Sequence, residues 1–243
     1  MRMLLAALGA AALFAAPAPA RDVAVAAGGV TSARGPAVTA AAPAAPESRR
    51  ADHPHTDGPD SGVALLGHPA PAWTFTRWIG PSLSLEGLRG KVVLMRWWTE
   101  GCHFCAATLP EIEALRRAHA DDGLVVIGVF HPKPPREVSN RKIVALAKRL
   151  GFFGPLAVDR EWTTLERYWL ADHPERSWTS VSFLVDRQGV IRWVHGGGEY
   201  HRTDDPAHAR CAKQYAELET TLAGVLAENA PLPQPFRNRA AGP

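Results

Sequence analysis

The stretch KVVLMRWWTEGCHFCAATLPEIEAL, Lys91 to Leu115, restricts the fold more than any other part of the chain. Val92 to Met95 are continuously apolar. A strand of that kind must be covered on both faces, as in the interior of a layered α/β sheet. After a short turn the period changes. Leu109, Ile112 and Leu115 recur at three-residue intervals, which marks one face of a helix from about Cys102 to Ala118, with Pro110 expected to kink it. A buried strand that feeds a helix has few places to go other than an α/β domain.

The rest of the chain extends this pattern. PAWTFTRW supplies a strand at the sheet edge, and GPSLSLEGLRG a turn with a helical fragment. GLVVIGVF is a second interior strand and NRKIVALAKRLG an amphipathic helix stopped by Gly151. PLAVD reads as a short strand and REWTTLERYWL as a helix. VSFLVDRQGVIRWVH is a hairpin turning at Asp186 to Gly189. A last helix spans about Asp205 to Glu228, with Pro206 in its first turn. Cys211, Tyr215, Leu218, Leu222 and Leu226 share one face of it. The order implies a layered α/β domain closed on one side by an antiparallel pair, folded from 67 to 230.

Outside those bounds the composition changes. MRMLLAALGAAALFAAPAPA has a positive end at Arg2, an apolar core from Leu4 to Ala16 and a small-x-small site at Ala18-Pro19-Ala20. Residues 1–20 therefore read as an export signal, with an uncleaved anchor as the alternative. The apolar core is shorter than the ~20 residues needed to span a bilayer, so no stable insertion is expected after cleavage. Residues 21–66, rich in Ala and Pro, read as a disordered tether in which His53 and His55 could capture metal loosely. Residues 231–243 read as a disordered tail. Export places the chain in the periplasm or another extracytoplasmic space, where disulfides persist. The net charge of +3 is scattered, without the basic stripe a nucleic-acid binder shows.

The chain has three cysteines. Cys102 and Cys105 sit three apart where the helix begins, and Cys211 lies on the apolar stripe of the last helix, where it reads as packing. At a helix start the first N–H groups lack partners and the peptide dipoles favour negative charge. A thiolate at Cys102 gains from both, which lowers its pKa and readies it for attack. One turn on, Cys105 is in reach of a mixed disulfide formed at Cys102. Two other readings of the pair stand beside this one. The cysteines could be structural, or they could hold a metal, with His131 approaching; a zinc site, however, needs four ligands and no second pair is present. No metal or other cofactor is expected.

The strand–CxxC–helix arrangement in an exported α/β chain resembles the thioredoxin superfamily. More narrowly it is similar to the periplasmic thiol–disulfide oxidoreductase group (TlpA/ResA-like), nearest to the thioredoxin-like domain of the DipZ type. The pieces that carry the likeness are KVVLMRWWTEGCHFCAATLPEIEAL, VVIGVF, the Trp162 to Trp169 segment and FLVDRQGVIRWVHGGGEY. The resemblance implies a thioredoxin-like fold: a central mixed sheet flanked by helices, with an N-terminal strand extension. It implies Cys102 as the attacking thiolate, Cys105 as the resolving one, a Cys102–Cys105 disulfide, and Trp97 and Trp98 flanking the site. Implied partners are protein thiol or disulfide clients and a membrane or periplasmic redox partner.

Two positions depart from the family pattern. Where relatives place a cis-proline facing the disulfide, this chain has Ser180. A cis bond without proline costs about 2.5–4 kcal/mol, so a trans bond and a differently shaped loop are expected. Where cytochrome-maturation relatives carry a glutamate, this chain has Thr108, as DipZ-like members do. Supporting roles fall to His103, whose imidazolium would stabilise the Cys102 thiolate, and to Glu100, near in sequence and otherwise solvated. Glu199 and Tyr200, after three glycines, could contact a partner or orient water. The leading expectation is an exported enzyme exchanging disulfides with proteins, in a direction the chain does not reveal. The alternatives are a non-catalytic client- or metal-binding protein on the same frame, motivated by Ser180, and a peroxiredoxin-like peroxide reductase.

Overall fold

The computed structural model describes residues 61–228. The expected signal, nearly all of the tether and the tail lie outside the described residues. Residues 61–66, the end of the expected tether, are structured. Val63–Leu65 form a 3-10 turn after Gly62, and Ser61 is buried.

Six strands make one mixed sheet: β1 (Arg77–Ile79), β2 (Val92–Trp98), β3 (Leu124–Phe130), β4 (Leu156–Val158), β5 (Ser182–Val185) and β6 (Ile191–His195). Their spatial order is β1-β4-β3-β2-β5-β6. β2, β3 and β4 run parallel, whereas β5 and β6 close one side as an antiparallel pair and β1 lies antiparallel at the other edge. The expected first strand is thus confined to its last residues. Upstream of it, Trp73 and Phe75 pack in the layer that includes Trp97, so this segment covers a face of the sheet instead of extending it.

The helices are α1 (His103–Ala118), α2 (Asn140–Arg149), α3 (Thr163–Leu165, continuing as a π-turn over Glu166–Leu170) and α4 (Ala209–Ala227, preceded by a 3-10 turn at Pro206–His208). α1 continues through Pro110 without ending. Along β2 every residue is buried, and successive side chains alternate between two cores. Val92, Leu94 and Trp98 join Leu109, Ile112, Ile143, Tyr215 and Leu218 from α1, α2 and α4. Val93, Met95 and Trp97 join Leu165, Tyr168, Trp169 and Phe183 on the opposite face. The face of α4 matches expectation except at its end, where Val225 is buried and Leu226 only partly so.

Trp98 shares a core cluster with Cys105, against which Cys102 packs, whereas Trp97 lies in the core on the other face. Trp97 and Trp98 are fully buried, one on each side of the sheet. Adjacent residues of a strand point to opposite faces, and here both faces are roofed by helices or by the N-terminal segment. Neither ring can present a surface beside the cysteines.

Candidate active site at the start of α1

Cys102 caps α1. Its backbone is extended, and its sulfur accepts a hydrogen bond from the Cys105 amide at 3.2 Å. Cys102 and Cys105 are joined in a disulfide, with their Cα atoms 5.3 Å apart. Cys102 is half-buried, whereas Cys105 is fully enclosed and packs with Leu109 and Ile112. The strand-to-helix turn therefore presents one sulfur outward and holds the other beneath it.

Ser180 completes this arrangement from the opposite loop. Its Oγ lies 3.5 Å from Cys102 Sγ and 3.4 Å from Cys105 Sγ. In the disulfide neither sulfur carries hydrogen, so the hydroxyl is the donor. The one cis peptide among the described residues is Lys133–Pro134; the bond before Ser180 is trans. Thr179, its neighbour, is held by His131, whose Nε2 lies 2.9 Å from Thr179 Oγ1 while its Nδ1 faces the Trp98 carbonyl at 3.0 Å. One tautomer satisfies both contacts: Nδ1–H donates to the carbonyl and Nε2 accepts from the threonine. Burial pushes the His131 pKa down to about 3, assisted by the charges of Lys133 and Arg96. The ring is neutral at ordinary pH and ties the end of β2 and the start of β3's loop to the Ser180 loop. Both nitrogens being engaged, it is not placed as a ligand for the cysteines. In the sequence His131 stands out only as an approach to a metal, and nothing in the residue pattern shows its contact with Thr179.

The other expected supporting residues disperse. His103 is exposed, its ring 3.9 Å from that of Phe104. Glu100 pairs with Arg136 and with Lys142, the latter at 2.7 Å, so it is neither simply solvated nor turned to the sulfurs. Glu199 is buried against His208 at 3.2 Å. Tyr200 is fully buried; its amide donates to Thr108 Oγ1 at 3.2 Å and its hydroxyl meets Ser182 Oγ at 2.8 Å. It therefore cannot meet a partner at the surface. Instead it anchors the loop after β6 to α1, with Thr108 as the acceptor. Arg96, also fully buried, donates to the Gly198 carbonyl at 2.6 Å and lies over the Tyr200 ring. The aromatic surface next to the disulfide consists of Phe104 and Trp178, partly exposed and edge-on with centroids 5.5 Å apart.

Residues 66–194, more than half of the chain, match the AhpC/TSA family. The chain belongs to that family. Among curated relatives, this AhpC/TSA chain is 32% identical over 127 residues to protein DipZ of Mycobacterium tuberculosis, covering 50% of this chain and 17% of DipZ. It thus spans about a sixth of the length of that relative. It is 26% identical over 139 residues to the thiol-disulfide oxidoreductase ResA of Halalkalibacterium halodurans, covering 57% and 73% of the two chains. A solved thiol-disulfide isomerase from Corynebacterium glutamicum superposes with a TM-score of 0.50 at 26% identity, covering 66% of this chain and 98% of that one. A thioredoxin-like superfamily protein superposes equally well, at 0.50 with 22% identity over 67% and 99%, which shows the fold. The fold is thioredoxin-like, an α/β mixed sheet flanked by helices.

Proposed function

We propose that the chain is an exported protein thiol–disulfide oxidoreductase working through Cys102 and Cys105. The observation that carries this reading is the asymmetry of the pair: a half-buried sulfur at a helix N-cap, hydrogen-bonded by the amide of an enclosed second cysteine. Relatives named thiol-disulfide oxidoreductase and thiol-disulfide isomerase support it. The signal-like residues 1–20 support export to the periplasm or another extracytoplasmic space. No described helix is long and apolar enough to cross a membrane.

In the reduced protein, the Cys102 thiolate attacks one sulfur of a client disulfide. A mixed disulfide forms and the client's other sulfur leaves as thiolate. Cys105, deprotonated, then attacks Cys102 Sγ, which restores the intramolecular bond and releases the second client thiolate. Two electrons pass to the client. The reverse sequence oxidises a client dithiol. The Cys105 amide and the Ser180 hydroxyl stabilise the thiolate at Cys102, and the first-turn N–H groups add the helix field. Phe104 and Trp178 offer an apolar seat for a protein client, with a membrane or periplasmic redox partner resetting the pair.

The test is trapping. A Cys105→Ala variant should accumulate mixed disulfides through Cys102 when exposed to oxidised protein clients, and Cys102→Ala should accumulate none. If the first variant stays free of adducts while the wild-type pair fails to cycle between thiol and disulfide, the proposal is wrong.

A further inference from the structure

The third cysteine sits in a setting that disulfide exchange does not use. Glu199, His201, His208 and Cys211 each offer a ligand atom, and these four atoms lie within 4.8 Å of one another. Cys211 Sγ is 3.7 Å from His208 Nδ1 and 3.8 Å from a Glu199 carboxylate oxygen, and His208 Nδ1 is 3.2 Å from that oxygen. Four donors around zinc at bonds of about 2.0–2.3 Å are separated from one another by roughly 3.3–3.8 Å in a tetrahedron. The spacing needed is therefore already close to that in the folded chain.

Local structure brings the donors together in two pairs. Glu199 and His201 flank Tyr200 in the irregular segment after β6, and both bring a ligand atom to the cluster. Tyr200 is fixed in the core through Thr108 and Ser182, which sets the direction of its neighbours. The segment enters through Gly197 and Gly198, whose φ of 125° and 83° an ordinary side chain would resist. His208 and Cys211 lie three apart at the start of α4, on one helical face. His201 Nδ1 faces the Arg202 carbonyl at 3.2 Å; when it donates there, the lone pair left for an ion is on Nε2, a common arrangement for a ligating histidine.

We infer that Glu199, His201, His208 and Cys211 form a closed, four-ligand site for a borderline-soft divalent cation of the zinc type, pinning the loop after β6 to α4. The ligand set is mixed and includes a thiolate, which suits zinc over the oxygen-seeking magnesium or calcium. One carboxylate and one thiolate balance the two positive charges, which suits a place where Glu199 and Cys211 are buried and the histidines form the outer wall. Burial and the neighbouring Glu199 charge keep the Cys211 thiol protonated without an ion, its pKa pushed up to about 11. Binding displaces that proton to solvent as the sulfur–metal bond forms. A plain Glu199–His208 ion pair needs neither the thiol nor His201, and this difference makes the site testable.

The full chain is prepared oxidised, so that Cys102 and Cys105 are tied in their disulfide and Cys211 is the remaining thiol. It is titrated with cobalt(II) and then with zinc(II). One equivalent of cobalt should produce thiolate-to-metal charge-transfer absorption and d–d bands of tetrahedral intensity, and one equivalent of zinc should abolish both. Cys211→Ala should remove the charge-transfer band and weaken zinc binding by at least about 100-fold, beyond the cost of losing an outer-shell partner. His201→Ala, at a partly exposed position that leaves the core intact, should weaken it at least about tenfold. A variant with His53 and His55 both replaced by alanine should bind as the parent does. Absence of the charge-transfer band in the parent overturns the inference. So does binding that survives both Cys211→Ala and His201→Ala, or that vanishes when His53 and His55 are replaced. None of these readouts depends on thiol–disulfide exchange.

Discussion

Burial of His131 makes stability depend on pH. Buried between Trp98 and Thr179, it is neutral in the folded chain, with its pKa near 3. In the unfolded chain the ring takes up a proton at its ordinary value of about 6.5. A folded pKa below the unfolded one means that the contribution is complete above pH 6.5 and is lost as pH falls toward 3. Below 6.5 the loss approaches about 1.4 kcal/mol per pH unit, which amounts to roughly 2 kcal/mol between pH 7 and pH 5. Glu113 acts in the same direction, but lower. Burial raises its carboxyl, while donors from Arg116, Arg117 and the Phe153 amide outweigh this and bring it below the usual value, so its contribution is lost only under about pH 4.5. Asp159, raised by burial despite donors from Thr164, Trp97 and Leu165, opposes the trend above its ordinary value of about 3.8 and does so equally in both proteins. The assay is urea unfolding with the disulfide intact, at pH 7, 6 and 5, on wild type and on His131→Gln. Wild type should lose about 2 kcal/mol more than the variant, which lacks this one buried ring, over the same interval. Parallel slopes in the two proteins would refute the burial argument.

Other substitutions probe the same frame. Ser180→Ala removes the hydroxyl shared by both sulfurs; a hydrogen bond of about 0.5–1.5 kcal/mol should move the alkylation midpoint of reduced Cys102 upward by up to about one pH unit, read by rate against pH. Gly128→Ala places a Cβ 2.7 Å from the Phe152 ring inside the sheet, and overpacking there should cost about 1–3 kcal/mol in urea unfolding. Thr108→Val strips the acceptor from the Tyr200 amide and should cost about 1–3 kcal/mol, with faster amide exchange at Tyr200.

Much of the frame was legible in the residues because it rests on burial periodicity. The continuous apolar run of β2 required two covered faces, and the three-residue spacing of Leu109, Ile112 and Leu115 located α1 and its inward side. The cysteine pair was legible for the same reason, since its meaning derives from the junction it occupies. What escaped was set by contacts between distant segments. Trp97 and Trp98 adjoin the site in sequence, yet the alternation of a central strand leaves only Trp98 in the core that holds Cys105 and sends Trp97 to the other face. Tyr200 looked like a loop residue after three glycines, but Arg96, Thr108 and Ser182 receive it in the interior. Arg96 itself interrupts an apolar strand, and only the folded chain shows the Gly198 carbonyl that accepts from it. REWTTLERYWL has a helical composition, and nothing in it marks the widening to a π-turn after Leu165. Cys211 read correctly as buried, although its sulfur borders a carboxylate and an imidazole and not apolar groups alone.

Disulfide exchange at this site depends on unequal reactivity of two sulfurs one helical turn apart. Reduced protein treated with iodoacetamide across pH 5 to 10, with each site followed by peptide mass, measures it directly. Cys102 should react first, with a midpoint below the ~8.5 of an ordinary thiol, while Cys105 and Cys211 lag far behind. Equal and slow labelling of Cys102 and Cys105 near neutral pH would contradict the account, as would faster labelling at Cys105.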